Sequence, residues 1–214
     1  AAIYTTKDCG TLTVTDSKFT NNVKNSKVED WICAAIVTVN NANFDNCTFV
    51  NNSASWGGAI AALGYNGEDN GKITVKNSKF IDNNAYYGAA ILAQWNIELE
   101  VENSQFIANE VTGQYSSSDW ASGGAIYTTE KFSIKDSTFT NNGEATDYAI
   151  YNLGTLKLTN TKVDNLVYND GTFNTNLNAT ILDNNTWNDT GIGDIYILNA
   201  TLTDSNGNKI YDPN

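Results

Sequence analysis

The stretch GGAIAALGYNGEDNGKITVKNSKFIDN, residues 57–83, carries three phrases that recur along the chain and decide its fold. Small residues run into Ile60, an alternating segment places Ile73 and Val75 on one face, and Asn77-Ser78-Lys79-Phe80 is followed by Asn83. The last phrase returns at Ser17-Lys18-Phe19 with Asn22, Cys47-Thr48-Phe49 with Asn52, Ser104-Gln105-Phe106 with Asn109 and Ser137-Thr138-Phe139 with Asn142. Weaker copies stand at Thr161-Lys162-Val163 and at Ala179-Thr180-Ile181 with Asn184. The residue before each copy is Asp16, Asn46, Asn77, Asn103, Asp136, Asn160 or Asn178, always Asn or Asp. The Ile phrase recurs at Ile3, Ile36, Ile91, Ile126 and Ile150, with Val167 and Ile195 as degenerate continuations. The alternating phrase recurs at Leu12 and Val14, Leu99 and Val101, Phe132 and Ile134, and Leu156 and Leu158.

Phe-to-Phe spacings of 30, 31, 26, 33 and 24 residues mean turns of similar size with insertions between phrases. Three short strands per repeat cannot bury their inner faces alone. They become stable when repeats stack at about 4.8 Å and close a continuous core. The expected fold is therefore all-β, a parallel β-helix (solenoid) of about seven to eight coils with three short strands each. It is right-handed by the general rule for parallel crossovers. Aligned Phe, Ile and Leu or Val form apolar ladders inside, and aligned Asn and Asp stack at turns. Residues 1–169 are expected to be the repeats, and 170–214 degenerate last coils, a cap, or the start of a following module.

The outward residues of the alternating phrase test the register. Lys72, Thr74 and Lys76 in one coil, Glu98, Glu100 and Glu102 in the next, and Lys131, Ser133 and Lys135 in the third form Lys-Glu-Lys ladders. Opposite charges on neighbouring strands contribute roughly 0.2–1 kcal/mol each. The rival reading of the three glutamates is a cation site or a carboxylate catalyst.

Composition narrows the function. All twelve basic residues are Lys, there is no His and no Met, and the net charge is −12. Imidazole-dependent triads and His-ligated metal sites are excluded. An acidic chain without Arg lacks the electrostatic footprint and the bidentate fork of nucleic-acid readers. The 33 Asn residues, with abundant Thr and Ser, suit turns and strands. There is no apolar run of 18 residues, so membrane insertion is not expected. Cys9, Cys33 and Cys47 make an odd count that allows one disulfide or none.

The phrases resemble the repeats of polymorphic outer membrane proteins, marked by Gly-Gly-Ala-Ile and Phe-any-any-Asn tetrapeptides. They are still more similar to the adhesin-like surface proteins of methanogenic archaea, which share the Asn and Thr richness and right-handed β-helix repeats. Gly57 to Ile60 and Gly123 to Ile126 match the first motif fully; Phe19, Phe49, Phe80, Phe106 and Phe139 begin the second. The copies ending at Ile36 and Ile150 are poor in Gly, and Val163 replaces the Phe. The resemblance covers residues 1 to about 165 and implies an extracellular, cell-surface adhesion role. The segment DIYILNATLTDSNGNKIYDPN, residues 194–214, is similar to the opening strand and Asn-Gly hairpin of immunoglobulin-like modules. The chain is thus expected to be a fragment of a larger surface protein, since it also begins inside a repeat.

Enzymes also occupy this fold, as polysaccharide lyases, glycoside hydrolases and methylesterases. The methylesterase pattern needs an Arg. Hydrolysis needs two carboxylates about 5–10 Å apart across one sugar. Asp82, Asp164 and Asp183 fall near one phase of the repeat, which Asn21, Asn51 and Asn141 fill elsewhere; such alternation reads as polar stacking. No catalysis, cofactor or metal is expected, although acidic loops such as Glu68-Asp69 would be the weak calcium candidates.

The binding candidates are aromatic. Trp31, Trp56, Tyr86 with Tyr87, and Trp120 fall four to six residues before the Ile of four successive coils. They are expected to line one edge, where rings stack on sugars or anchor a partner protein. The alternative is that they pack over the glycines beside them. Insertions Val23 to Asp30 and Glu110 to Ser122 lie on the same side. Of six Asn-any-Ser/Thr triplets, Asn51, Asn184, Asn188 and Asn199 are the candidate glycan acceptors; Asn46 and Asn178 complete the set, with Asn46 expected to be poorly accessible in a stacked turn. The function expected is a monomeric adhesin fragment binding a glycan or a surface protein of another cell. Its rivals are a polysaccharide-active β-helix and a stalk that binds nothing.

Overall fold

A computed structural model of the chain describes residues 1–23, 35–39, 41–64, 71–112, 122–143, 148–165 and 167–175, with strands also at Thr180–Ile181 and Ile195–Tyr196. Among these residues every regular element is a strand. The strands sort into three main sheets of in-register parallel ladders, the arrangement of a parallel β-helix with seven coils.

The first sheet collects Ile3–Tyr4, Ile36–Thr38, Ile60–Leu63, Ile91–Gln94, Ile126–Thr128, Ile150–Asn152 and Val167–Asn169. Ile36, Ile60, Ile91, Ile126 and Ile150 pair with one another across it and are fully buried. The second sheet runs from Leu12–Thr15 through Gly71–Lys76 and Ile97–Glu102 to Phe173–Thr175. The third runs from Lys18–Thr20 through Lys79–Ile81 to Thr180–Ile181. Phe19, Phe49, Phe80, Phe106 and Phe139 form one stack in it, with centroid spacings of 5.0, 4.8, 4.8 and 4.5 Å. Val163 continues the column, fully buried. In the second coil the alternating phrase is Ala42 and Phe44, small where the others are large; Phe44 meets Phe49 edge-on at 6.0 Å.

The polar residues of the phrases are as regular as the apolar ones. Asp16, Asn46, Asn77, Asn103, Asp136 and Asn160 all have φ between 48 and 51°. Asn and Asp tolerate this left-handed region far better than other residues bearing a Cβ, which accounts for their recurrence at the corner between the second and third sheets. Their side chains also link coils: the Asn46 amide donates to Asp16 Oδ1 at 2.6 Å, and Asn103 donates to Asn77 Oδ1 at 2.6 Å. The Ser slot is buried beside them. Ser78 Oγ accepts the Cys47 N–H at 3.1 Å and donates to the Lys76 carbonyl at 2.6 Å, and Ser104 and Ser137 repeat the pattern. Cys47 takes the Ser position as a buried free thiol whose pKa is raised first by burial.

The Asn that closes the Phe phrase builds an internal amide ladder. Asn83 is fully buried; its Nδ2 donates to Asn109 Oδ1 at 2.9 Å and to the Phe49 carbonyl at 3.1 Å. Its Oδ1 accepts from Asn52 N at 3.1 Å and Asn52 Nδ2 at 2.9 Å. Each amide thus satisfies backbone and side-chain groups of the coils on both sides, as a polar group in a dry core must. On the outer face of the second sheet the charge ladder forms as expected. Lys76 and Lys135 reach Glu102 at 3.2 and 2.9 Å and Lys131 reaches Glu98 at 3.5 Å, while Lys72 crosses diagonally to Glu100 at 2.7 Å.

At the C-terminal side, parallel coiling continues past residue 170 through Phe173–Thr175 and Thr180–Ile181. Val167 is a true continuation of the Ile ladder. Ile195 is not: Ile195–Tyr196 pairs antiparallel with Val167–Asn169, so the chain reverses and covers that sheet edge instead of adding a coil. The Asn-Gly hairpin after it lies outside the described residues, as do Cys33 and the Glu68-Asp69 loop.

Candidate binding face

After each Asn ladder residue the chain returns to the first sheet by a leg that is also held in register. Val23, Ser53 and Asn84 bridge in parallel, as do Trp56, Tyr87 and Ser122. Trp56 and Tyr87, placed together by the sequence reading, therefore sit one coil apart, their rings edge to face at 6.3 Å. Tyr86 lies on the same leg, its N–H bonded to the Ser55 carbonyl at 3.0 Å. Trp31 and Trp120 lie outside the described residues.

The glycines beside these rings have a backbone role. Gly57 has φ +60°, and a Cβ there would come within 2.8 Å of Ala61 Cα and of the Ile60 carbonyl carbon. Its nearest neighbours are the backbone of its own turn, not an aromatic ring.

The row is longer than the sequence reading proposed. Tyr127, Tyr151 and Tyr168 follow the Ile, Ile and Val of three successive coils, so they point outward from the first sheet. Tyr127 and Tyr151 stack at 5.3 Å with planes 2° apart, and Tyr151 and Tyr168 at 4.3 Å with planes 11° apart. Tyr148 meets both Tyr151 and Tyr168 edge-on, at 5.8 and 5.3 Å. Tyr87 joins this group to Trp56, since its ring lies 5.4 Å from Tyr127. Trp95 closes the other end at 6.3 Å from Trp56. The Ile-Tyr and Val-Tyr dipeptides were the signal: a Tyr next to an inward Ile must face outward.

The row lies on a partly covered sheet face. In the second, third and fourth coils the outward positions are Val37, Ala61 and Leu92, all buried. Tyr127 is half-buried, and its phenol pKa is pushed up to about 12, first by burial, then by the neighbouring Tyr151 and Tyr87, against a hydrogen bond with Gln94. The Tyr127 ring therefore stays neutral across the physiological range and offers apolar surface.

The other candidates are arranged differently. Asp82 and Asp164 follow the Phe position in the third and sixth coils. Three steps of about 4.8 Å put them roughly 14 Å apart, too far to share a glycosidic bond. Asp164 instead accepts the Asn141 N–H with both oxygens at 3.0 Å. Asp183 lies outside the described residues. The glutamates of the second sheet are ion-paired, and the carboxyl of Glu102 is held below the usual range by hydrogen bonds from Lys135 and then Lys76. A polar groove of about 380 Å³ at the corner of the second and third sheets includes Asn77, Asn103 and Asp136. It contains a single carboxylate, and these three residues are the corner ladder itself. Among the described residues no group of three His, Cys, Asp or Glu could hold a metal ion.

Of the candidate glycan acceptors, Asn51 is exposed at φ 52° and donates its amide to Asn21 Oδ1 at 2.7 Å. Asn46 sits in the stacked turn as expected but is exposed there, because the corner side chains point out to solvent. Asn178, Asn184, Asn188 and Asn199 lie outside the described residues.

Comparison with protein-family models, curated proteins and solved structures gives no match.

Proposed function

We propose that this chain is a noncatalytic, cell-surface adhesin in which a rigid β-helix presents the aromatic row of its first sheet to a glycan or to a surface protein of another cell. The observation that supports this most is the continuity of the row. Six rings from Trp95 to Tyr168 remain in contact while their place in the repeat shifts from the return leg to the strand and to the corner. Packing of the repeat does not require this, because the inner ladders already close the core. A preformed row on a scaffold of parallel ladders meets a partner with little ordering to undergo, and Trp and Tyr are the usual anchors of such faces.

The reading is tested by screening the chain against a glycan array and against whole microbial cells, beside a Trp56→Ala/Tyr127→Ala variant. Saturable binding that the folded variant loses supports it. Binding equal in both proteins places the site elsewhere, and no binding by either leaves a stalk. Release of reducing ends or unsaturated sugars from any glycan would favour the polysaccharide-active alternative.

A further inference from the structure

Trp95 differs from the rest of the row in backbone, in surroundings and in exposure. It forms, with Asn96, the two-residue corner between Ile91–Gln94 and Ile97–Glu102, at φ 59 and 64°. Among the described residues every other non-glycine at positive φ is Asn or Asp, apart from Ala108. A bulky side chain in this region is strained, and such strain concentrates at functional sites.

The neighbouring coil is shaped to accept the corner. A Cβ on Gly64 would fall onto the Trp95 carbonyl oxygen and within 2.7 Å of its carbonyl carbon, and Gly64 N–H donates to the Gln94 carbonyl at 3.0 Å. The Asn96 N–H is taken by Glu130 Oε1 of the following coil at 3.3 Å. Two coils therefore hold a conformation that Asn or Gly at position 95 would adopt without strain. The indole is also 49% exposed, and its contact with Trp56 is edge to face, with planes at 69°. Tyr151, by contrast, is stacked face to face between Tyr127 and Tyr168. Among the described rings of the row Trp95 is the exposed one, and its backbone is held by two coils.

We propose that Trp95 is the stacking platform of the row and that its ligand is an uncharged pyranose unit of a glycan. This rests on the reading of the row as a binding face and sharpens it to one residue and one ligand class. The indole face carries the negative side of the ring quadrupole and attracts the polarised C–H bonds of a pyranose face. Acidic sugars are disfavoured by the net charge of −12 and by the Glu130 carboxylate beside the corner. A quaternary cation also stacks on an indole face and would be attracted by the same negative charge, so it is included as a competing probe.

The test measures binding of the chain to immobilised cellohexaose, laminarihexaose, mannohexaose and chitohexaose, with polygalacturonate and choline as charged probes. Trp95→Gly, Trp95→Asn and Trp95→Phe are assayed beside the parent chain, and each is also unfolded in urea. The expected result is saturable binding of a neutral oligosaccharide that falls at least tenfold in Trp95→Gly and Trp95→Asn and is partly restored in Trp95→Phe. The unfolding midpoint of Trp95→Gly stays unchanged or rises as the corner relaxes. If Trp95→Gly binds like the parent while Trp56→Ala/Tyr127→Ala does not, the platform assignment is overturned and the row stands. A midpoint lowered by Trp95→Gly assigns the indole to packing and overturns it as well. Preference for polygalacturonate or choline, or no neutral glycan bound by the parent, overturns the platform and its ligand class, whereas the reading of the row as a binding face falls only if the array and whole-cell screen also finds no binding.

Discussion

Phe80 and Phe106 stack at 4.8 Å in the third sheet, and Tyr151 and Tyr168 stack at 4.3 Å on the outside of the first, yet the two columns are built on different rules. The Phe column uses one phase of the repeat in five successive coils, with rings within 9° of parallel and buried from Phe49 to Phe139. The outer row keeps its continuity by changing phase. Where the outward position of the first sheet is Val37, Ala61 or Leu92, rings arrive from the return leg at Trp56 and Tyr87 or from the corner at Trp95. Recurrence at a fixed phase is what stacking coils need in order to fold. Continuity maintained without a fixed phase needs a different cause, and binding is the one we propose.

The strongest way to break the comparison is through the polar half of the interior. Asn83→Ala removes four buried hydrogen bonds and takes the acceptor from the Asn52 N–H, while Asn52 Nδ2 keeps the Phe19 carbonyl and Asn109 Oδ1 keeps the Asn83 N–H. At about 1 kcal/mol net for each of the four bonds lost, and more for the N–H left buried without an acceptor, a loss of about 4 kcal/mol or more is expected in urea unfolding. Phe80→Ala follows at about 3–5 kcal/mol, since the ring is fully buried between two others. Tyr151→Ala, half-buried on the outer row, should lower stability by only about 1 kcal/mol. Equal losses for Phe80→Ala and Tyr151→Ala would erase the distinction between column and row.

Alkaline titration sharpens it next. The Tyr127 pKa is raised in the fold to about 12 from an ordinary value of 10. The stabilisation from its neutral form is therefore complete below pH 10 and is lost as pH rises toward 12. The shift corresponds to about 3 kcal/mol, reduced to about 2 kcal/mol by the solvent that reaches this half-buried ring, and is read as a falling urea midpoint over that window, absent in Tyr127→Phe. The smallest effect belongs to the exposed charge ladder. Glu102, whose pKa is lowered, contributes above the ordinary carboxylate range and loses its contribution as pH falls through its depressed value in the fold. Glu102→Gln should shift the midpoint slightly at low salt and not at high salt.

The inner ladders were legible because sequence repeats report what stacks on what. Phe49, Phe80 and Phe106 fix the third sheet, and the Lys-Glu-Lys alternation fixes the register of the second. The alternating phrase was hidden in the second coil because Ala42 and Phe44 exchange large for small. The Asn and Asp at the corners were legible as turn residues, but their shared left-handed backbone shows only in the dihedral angles. Half of the candidate face was missed for a related reason. Tyr127, Tyr151 and Tyr168 stand beside strong inward Ile and Val residues and read as part of that ladder, although alternation sends them outward. Trp95 carries no repeat signal at all; the role proposed for it rests on a corner conformation and on Gly64, some thirty residues earlier in the chain.

The measurement that tests the division between column and row most directly is the binding isotherm of Trp56→Ala/Tyr127→Ala toward whichever glycan or cell surface the parent chain captures, with far-ultraviolet circular dichroism recorded on the same sample. The division predicts an unchanged β signal and binding reduced at least tenfold. An unchanged β signal with undiminished binding would contradict it, and so would loss of binding that occurs only together with loss of the β signal.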